Sequence, residues 1–224
     1  MFISLLCSTA FCLLQGMAVC NHVHLTELLV SKNWEQRRDA YWFAMKAEWS
    51  LRATAPEFLM NVIKRNHFVP KQTKVANDYD SQCTPRIVAI AILADWAFPE
   101  ATTIFIENVV HPSDLFNRKR IVRSNLSEIT KPMNALIAFG KQVAPPIIKE
   151  LATLDPGHQF NDASAERHYI NQRRTYLLVV LYKVVGFREA YRMLRDEAKR
   201  LQFTDRFSYA NLINASNIVK NWER

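Results

Sequence analysis

Glycine is scarce, at four residues in 224. No Asn-Gly or Asp-Gly pair occurs, and no long run alternates polar with apolar. The usual marks of hairpins and half-buried strands are therefore missing. Cysteine is also sparse: four residues, three of them (Cys7, Cys12 and Cys20) within the first twenty. That count supplies no disulfide framework, and a chain of this length needs none. Cys83 reads as a small buried residue or an untended thiol. Absent as well are a P-loop, a nucleophile elbow, a Gly-rich dinucleotide turn and a His-Glu-x-x-His pair. Those gaps remove the common signatures of nucleotide binding, acyl transfer and metalloprotease chemistry. No cofactor is implied.

Residues 1–20, MFISLLCSTAFCLLQGMAVC, lack any charged side chain. The apolar run from Phe2 to Leu14 is followed by small residues, and Gly16-Met17-Ala18 or Ala18-Val19-Cys20 suits a secretory cleavage site. The rivals are an uncleaved membrane anchor of near-minimal length and a buried first helix. The expectation is an exported protein (periplasmic, extracellular or membrane-anchored), or a cytoplasmic one if the stretch is no signal. Residues 21–224 are then one helical domain.

What is abundant is apolar residues at helical spacing. The chain is 49% hydrophobic and 22% charged, with nine prolines, several of them between apolar segments. After a ridge at Leu25, Leu28 and Leu29, helices are expected over Trp34–Leu51, from Pro56 to Asn66, over Pro85–Ala97 and from Pro99 onward. Met133–Leu154 reads as two short helices meeting at Val143-Ala144-Pro145-Pro146, with proline where a helix start tolerates a missing N–H. Arg167–Val185, Phe187–Leu201 and a terminal capping helix at Phe207–Trp222 complete the chain. Tyr176–Val185 has the β-branched content of a buried strand. Its helical context, and Gly186 placed as a C-cap, favour a buried helix.

The second helices of successive pairs begin at Pro56, Pro99, Pro145 and Phe187, at intervals in the forties. A two-helix unit of about 40–47 residues has the period of a HEAT or armadillo array. Asn33-Trp34 with Arg37 and Ala40, and Ala135-Leu136 through Gly140 to Ala144-Pro145, Ile147-Ile148 and Leu151, resemble the opening and body of a HEAT repeat. The second and fourth units, with Arg86 and with Arg173 or Arg174, match more loosely. The resemblance implies an all-α, right-handed α-α superhelix of about four helix pairs, a scaffold that binds a protein partner on its concave face without catalysis. Some HEAT-repeat proteins are DNA glycosylases that use tryptophans and a carboxylate. Trp34, Trp42, Trp49 and Trp96, with Asp95, are the residues here that such an enzyme would use, and a glycosylase or a lyase on the same scaffold would depend on Asp95 or Asp162. Oligomeric state is left open.

The formal charge is +8 and the pI about 9.4, which bears on partners rather than on fold. Arg118, Lys119, Arg120 and Arg123 form a basic run without an acid. With Arg173 and Arg174 they are the candidate site for a polyanion, whether nucleic acid, acidic glycan or lipid. Further on, Glu189, Asp196 and Glu197 interleave with Arg188, Arg192, Arg195, Lys199 and Arg200, so part of that charge is expected to be neutralised. The plainer alternative is a solvated surface. His158, Asp162, Glu166 and His168, and the pair His22 and His24, lack metal-ligand spacing, so no metal site is assigned. Asn125 and Asn214 open glycosylation triplets.

Overall fold

A computed structural model describes residues 2–65, 83–110, 130–154 and 163–222; within these, side chains are described from residue 16, and not for 163–166 or 168. The described residues are helical throughout, with no strand among them. The chain divides into two compact units, one holding the helices up to Phe98 and the other those from Pro99 onward.

The first unit contains α1 (Phe2–Leu29), α2 (Trp34–Lys46), α3 (Glu48–Leu51), α4 (Pro56–Arg65) and α5 (Pro85–Asp95). α5 is apolar on every face, buried from Ile87 to Ala94, and packs mainly on α4 and α2. A helix apolar all round must be surrounded, so it sits at the centre of its unit. The Thr84 hydroxyl caps its start by accepting from Ile87 N at 3.3 Å, and Pro85 follows where no N–H is needed. α1 packs on α2 through Leu25 and Leu29, both without exposed surface. The Asn33 carboxamide caps α2, accepting from Glu35 N at 2.8 Å. Arg37 is buried and donates to the carbonyls of Cys83 (2.6 Å), Ser31 (2.7 Å) and Lys32 (2.9 Å). One guanidinium thus ties the α1–α2 turn to the approach of α5.

The helix expected over Trp34–Leu51 breaks at Ala47, whose φ of −101° and ψ of 16° leave the helical region. Its carbonyl accepts from the Ser50 backbone (3.0 Å) and hydroxyl (2.9 Å). Asn21 of α1 also donates to that hydroxyl at 2.8 Å. Such a hydroxyl competes with the helical ladder, a contact no spacing rule contains.

The second unit contains α6 (Thr102–Glu107) after a 3₁₀ turn, α7 (Lys131–Phe139), α8 (Ala144–Thr153), α9 (Ala163–Val185), α10 (Phe187–Leu201) and α11 (Arg206–Asn221). Thr130 caps α7, accepting from Met133 N at 3.3 Å and donating to the Val109 carbonyl at 2.8 Å. The corner between α7 and α8 is a 3₁₀ turn over Gly140–Val143. It therefore begins at glycine, ahead of the expected prolines, which lie in the first turn of α8. Tyr176–Val185 is helical, as its context indicates. The most extensive packing joins α10 to α11. Ala190, Leu194 and Ala198 face Leu212, Ala215, Ser216 and Val219 there, and the small residues let two helices approach closely. Phe187–Leu201 therefore takes the terminal helix as its main partner, whereas α9 lies against α7 and α8. Asn211 of α11 donates to the carbonyls of Ala152 (2.9 Å) and Leu154 (3.3 Å), satisfying the end of α8.

Candidate interaction surface

Gly186 is the hinge on which the candidate surface is built. Its φ of 83° and ψ of 164° end α9 and start α10 within a single residue. The turn brings Val179, Tyr182, Lys183 and Val185 of α9 beside Phe187, Arg188 and Glu189 of α10. Trp222, just past α11, closes the far side of a cleft of about 900 Å³. Trp222 continues the buried stripe Leu212, Ala215, Val219 by one more helical step. At the end of its helix it is 42% exposed, as is Tyr182. The floor is thus apolar and aromatic while the rim carries charge. Glu189 is bound on both carboxylate oxygens by Arg192, at 2.8 and 2.5 Å, and that bond holds its carboxyl below the usual range. Among the described residues Lys183 and Arg188 have no acidic partner. The Lys183 ammonium lies 5.9 Å from the centre of the Tyr182 ring. The rim is therefore positive. Nothing in the spacing rules singled out Tyr182, Phe187 and Trp222; aromatics flanking a lone glycine, and one at the end of an apolar stripe, are the signals that mark them.

Of the sequence candidates for polyanion binding, Arg118, Lys119, Arg120 and Arg123 lie outside the described residues, as do Asn125, His158 and Asp162. Arg173 and Arg174 are adjacent on α9 but differently employed. Arg173 forms a 2.6 Å ion pair with Glu150 of α8, both side chains largely covered. Arg174 donates to Asn171 at 3.1 Å, and burial pulls its guanidinium below its ordinary pKa. The Nε of each is buried without a partner among the described residues. Along α10, Arg192 pairs with Glu189 and Asp196, Lys199 with Asp196 and Arg200 with Glu197. The interleaved acids do neutralise part of this run. A second groove of about 450 Å³, between α8 and α10, is lined by Pro145, Ile148 and Met193 with these paired charges along its edge.

Trp96 is 1% exposed, so no base can stack on it, and Asp95 accepts from the Tyr41 hydroxyl. His22 lies against Phe58 and His24 against Phe43, ring to ring. No group of three metal-ligating side chains occurs among the described residues. Asn214 is exposed, but Ser216 of its triplet is buried and donates to the Ile213 carbonyl. No helix among the described residues is long and apolar enough to cross a membrane. The class of protein is all-α, built of helices packed on their neighbours. No protein-family model, curated protein or solved structure matches the chain.

Proposed function

We propose that this chain is a protein-binding helical scaffold whose cleft at Gly186 receives an apolar segment bearing an acidic residue from a partner protein. The single observation behind it is a cleft lined by Tyr182, Phe187 and Trp222 together with Lys183 and Arg188, cations without an acidic partner among the described residues. Half-exposed aromatics in a concave setting are the side chains that dominate protein interfaces. A positive rim selects a negatively charged flank. The finer fold reading, a right-handed HEAT-like superhelix, belongs to the same proposal. Its support is the recurring two-helix spacing, with Asn33 and Arg37 as the capping and tying residues of the first unit. Export is proposed too, on the strength of the uncharged residues 1–20.

Selection from a random peptide library tests the binding reading. Bound peptides should share an apolar core beside Asp or Glu, quench tryptophan fluorescence, and lose about tenfold or more in affinity to Trp222→Ala, as expected for an interface anchor. Charge reversal at Lys183 and Arg188 should remove the acidic preference. Peptides that bind Trp222→Ala equally well would refute the cleft as their site. Retention on heparin, abolished by reversing Arg120 and Arg123, would move the assignment to a polyanion.

A further inference from the structure

At the opposite end of the α10–α11 hairpin from Gly186 lies a corner, Gln202–Asp205, with an unusual surface. Residues 202–207 are all exposed, and Phe203 is 92% exposed. This is not a slack loop. Gln202 N donates to the Lys199 carbonyl, and Thr204 N and Asp205 N both donate to that of Leu201. The Asp205 carboxylate accepts from Ser208 N (3.0 Å) and from its hydroxyl (2.6 Å). Both flanks are hydrogen-bonded, so the backbone holds the Phe203 ring out in water. Phe207, half exposed, lies four residues further on, in the first turn of α11. Lys199, Arg200 and Arg206 are close by in the chain, with the Asp205 carboxylate engaged by Ser208. Arg206 has no acidic partner among the described residues, and it opens α11 at the positive end of that helix. A cation there opposes the helix dipole, so helix stability does not account for it. Among the described residues Lys199 and Arg200 are paired through bridges whose cations are exposed, which solvent weakens and a phosphate can replace.

Exposed phenyl rings on an ordered corner, with basic residues beside them in the chain, suit a flat anionic surface better than a cleft. We propose that this corner docks the protein on an anionic lipid bilayer, Phe203 and Phe207 entering the headgroup layer while Arg206, Lys199 and Arg200 meet lipid phosphates. Amphipathic elements bind such surfaces by combining buried apolar area with attraction to anionic lipid. The proposal is independent of the cleft, which lies at the other end of the hairpin.

Flotation of the full chain with phosphatidylcholine vesicles, with and without phosphatidylserine, tests it. Binding should require the anionic lipid and weaken with added salt. Phe203→Ala should lower it about tenfold, the loss expected when one phenyl ring no longer leaves water, and Arg206→Glu should lower it further. Trp222→Ala should leave it unchanged. The apolar residues 2–14 could also attach to vesicles, so a local readout is needed. Phe203→Trp in vesicles of brominated lipid should show quenching beyond that of the unmodified chain. No anionic-dependent binding would overturn the proposal. So would binding indifferent to Phe203→Ala with no added quenching, which assigns attachment to the N-terminal segment. Capture on polyglutamate but not on vesicles would overturn it in favour of an acidic protein surface.

Discussion

Ala97 carries a left-handed backbone, φ 48°, and is the one residue other than glycine with positive φ among the described residues. It closes α5 in a Schellman arrangement: Ala97 N donates to the Ala94 carbonyl and Phe98 N to that of Leu93, both at 3.0 Å. Glycine is the usual occupant because a Cβ strains this conformation. Ala97→Gly should therefore stabilise the protein by about 0.5–1 kcal/mol, the relief of strain less the added freedom of the unfolded chain. Urea unfolding should show a higher midpoint at unchanged slope; a lower midpoint would mean that the Ala97 methyl is worth more than the strain. Asp205 supplies the pH-dependent counterpart. The Ser208 hydroxyl, then the Ser208 N–H, hold its carboxyl below its ordinary value. A depressed folded value means the stabilisation is present above the unfolded value and disappears as pH falls through the folded one, a window below about pH 4. Asp205→Asn still caps α11 but has no charge to lose. Amide exchange at Ser208 and Tyr209 should accelerate in acid in the parent chain and hardly at all in this variant. Equal acid slopes would show that the cap is insensitive to charge.

Elements in this chain begin where capping residues and prolines announce them. Thr84-Pro85, Thr130, Asn33 and Asp205 each accept the N–H their position calls for, and these starts are local chemistry legible in sequence. The ends depend more on what lies across the fold. The break at Ala47 comes from Ser50, itself held by Asn21 twenty-nine residues away. The pairing of α10 with α11 follows from the small residues Ala190, Ala198 and Ala215, a matching of two surfaces that counting repeat lengths does not reveal. The cleft was hidden for the same reason, since Tyr182, Phe187 and Trp222 meet only through a reversal at Gly186. That reversal and the Gly140 corner use backbone (φ 83°, ψ 164° and φ 72°, ψ −152°) reserved for glycine. A Cβ at either position would meet nothing within 4 Å, so the penalty for alanine is conformational alone. Gly186→Ala and Gly140→Ala should each destabilise by about 1–3 kcal/mol, seen as lower melting temperatures. Gly186→Ala should in addition weaken peptide binding at the cleft. Binding untouched in a destabilised variant would separate the hinge from the site.

At the scale of the whole molecule, the first helix decides how processing and folding can coexist. α1 runs without interruption from Phe2 to Leu29, across both candidate cleavage points. Among its described side chains, those fully buried, Leu25 and Leu29, lie beyond Cys20, and Asn21 makes the hydrogen bond to Ser50. A chain beginning at Asn21 therefore retains these contacts to α2 and α3, whereas one beginning at Ser31 loses all of them. Each large-to-small loss in a core removes about 2–5 kcal/mol, and total stability is commonly about 5–15 kcal/mol. Removing residues 1–20 should leave the melting temperature nearly unchanged and lower the helical circular dichroism only by the share of α1 removed. Removing residues 1–30 should abolish cooperative melting of the first unit. If the shorter deletion also unfolds the protein, residues 1–20 are part of the folded body, and a cleaved export signal is incompatible with that role. If it folds, the export proposal stands, and that proposal expects mass spectrometry to find an N-terminus at Val19 or Asn21.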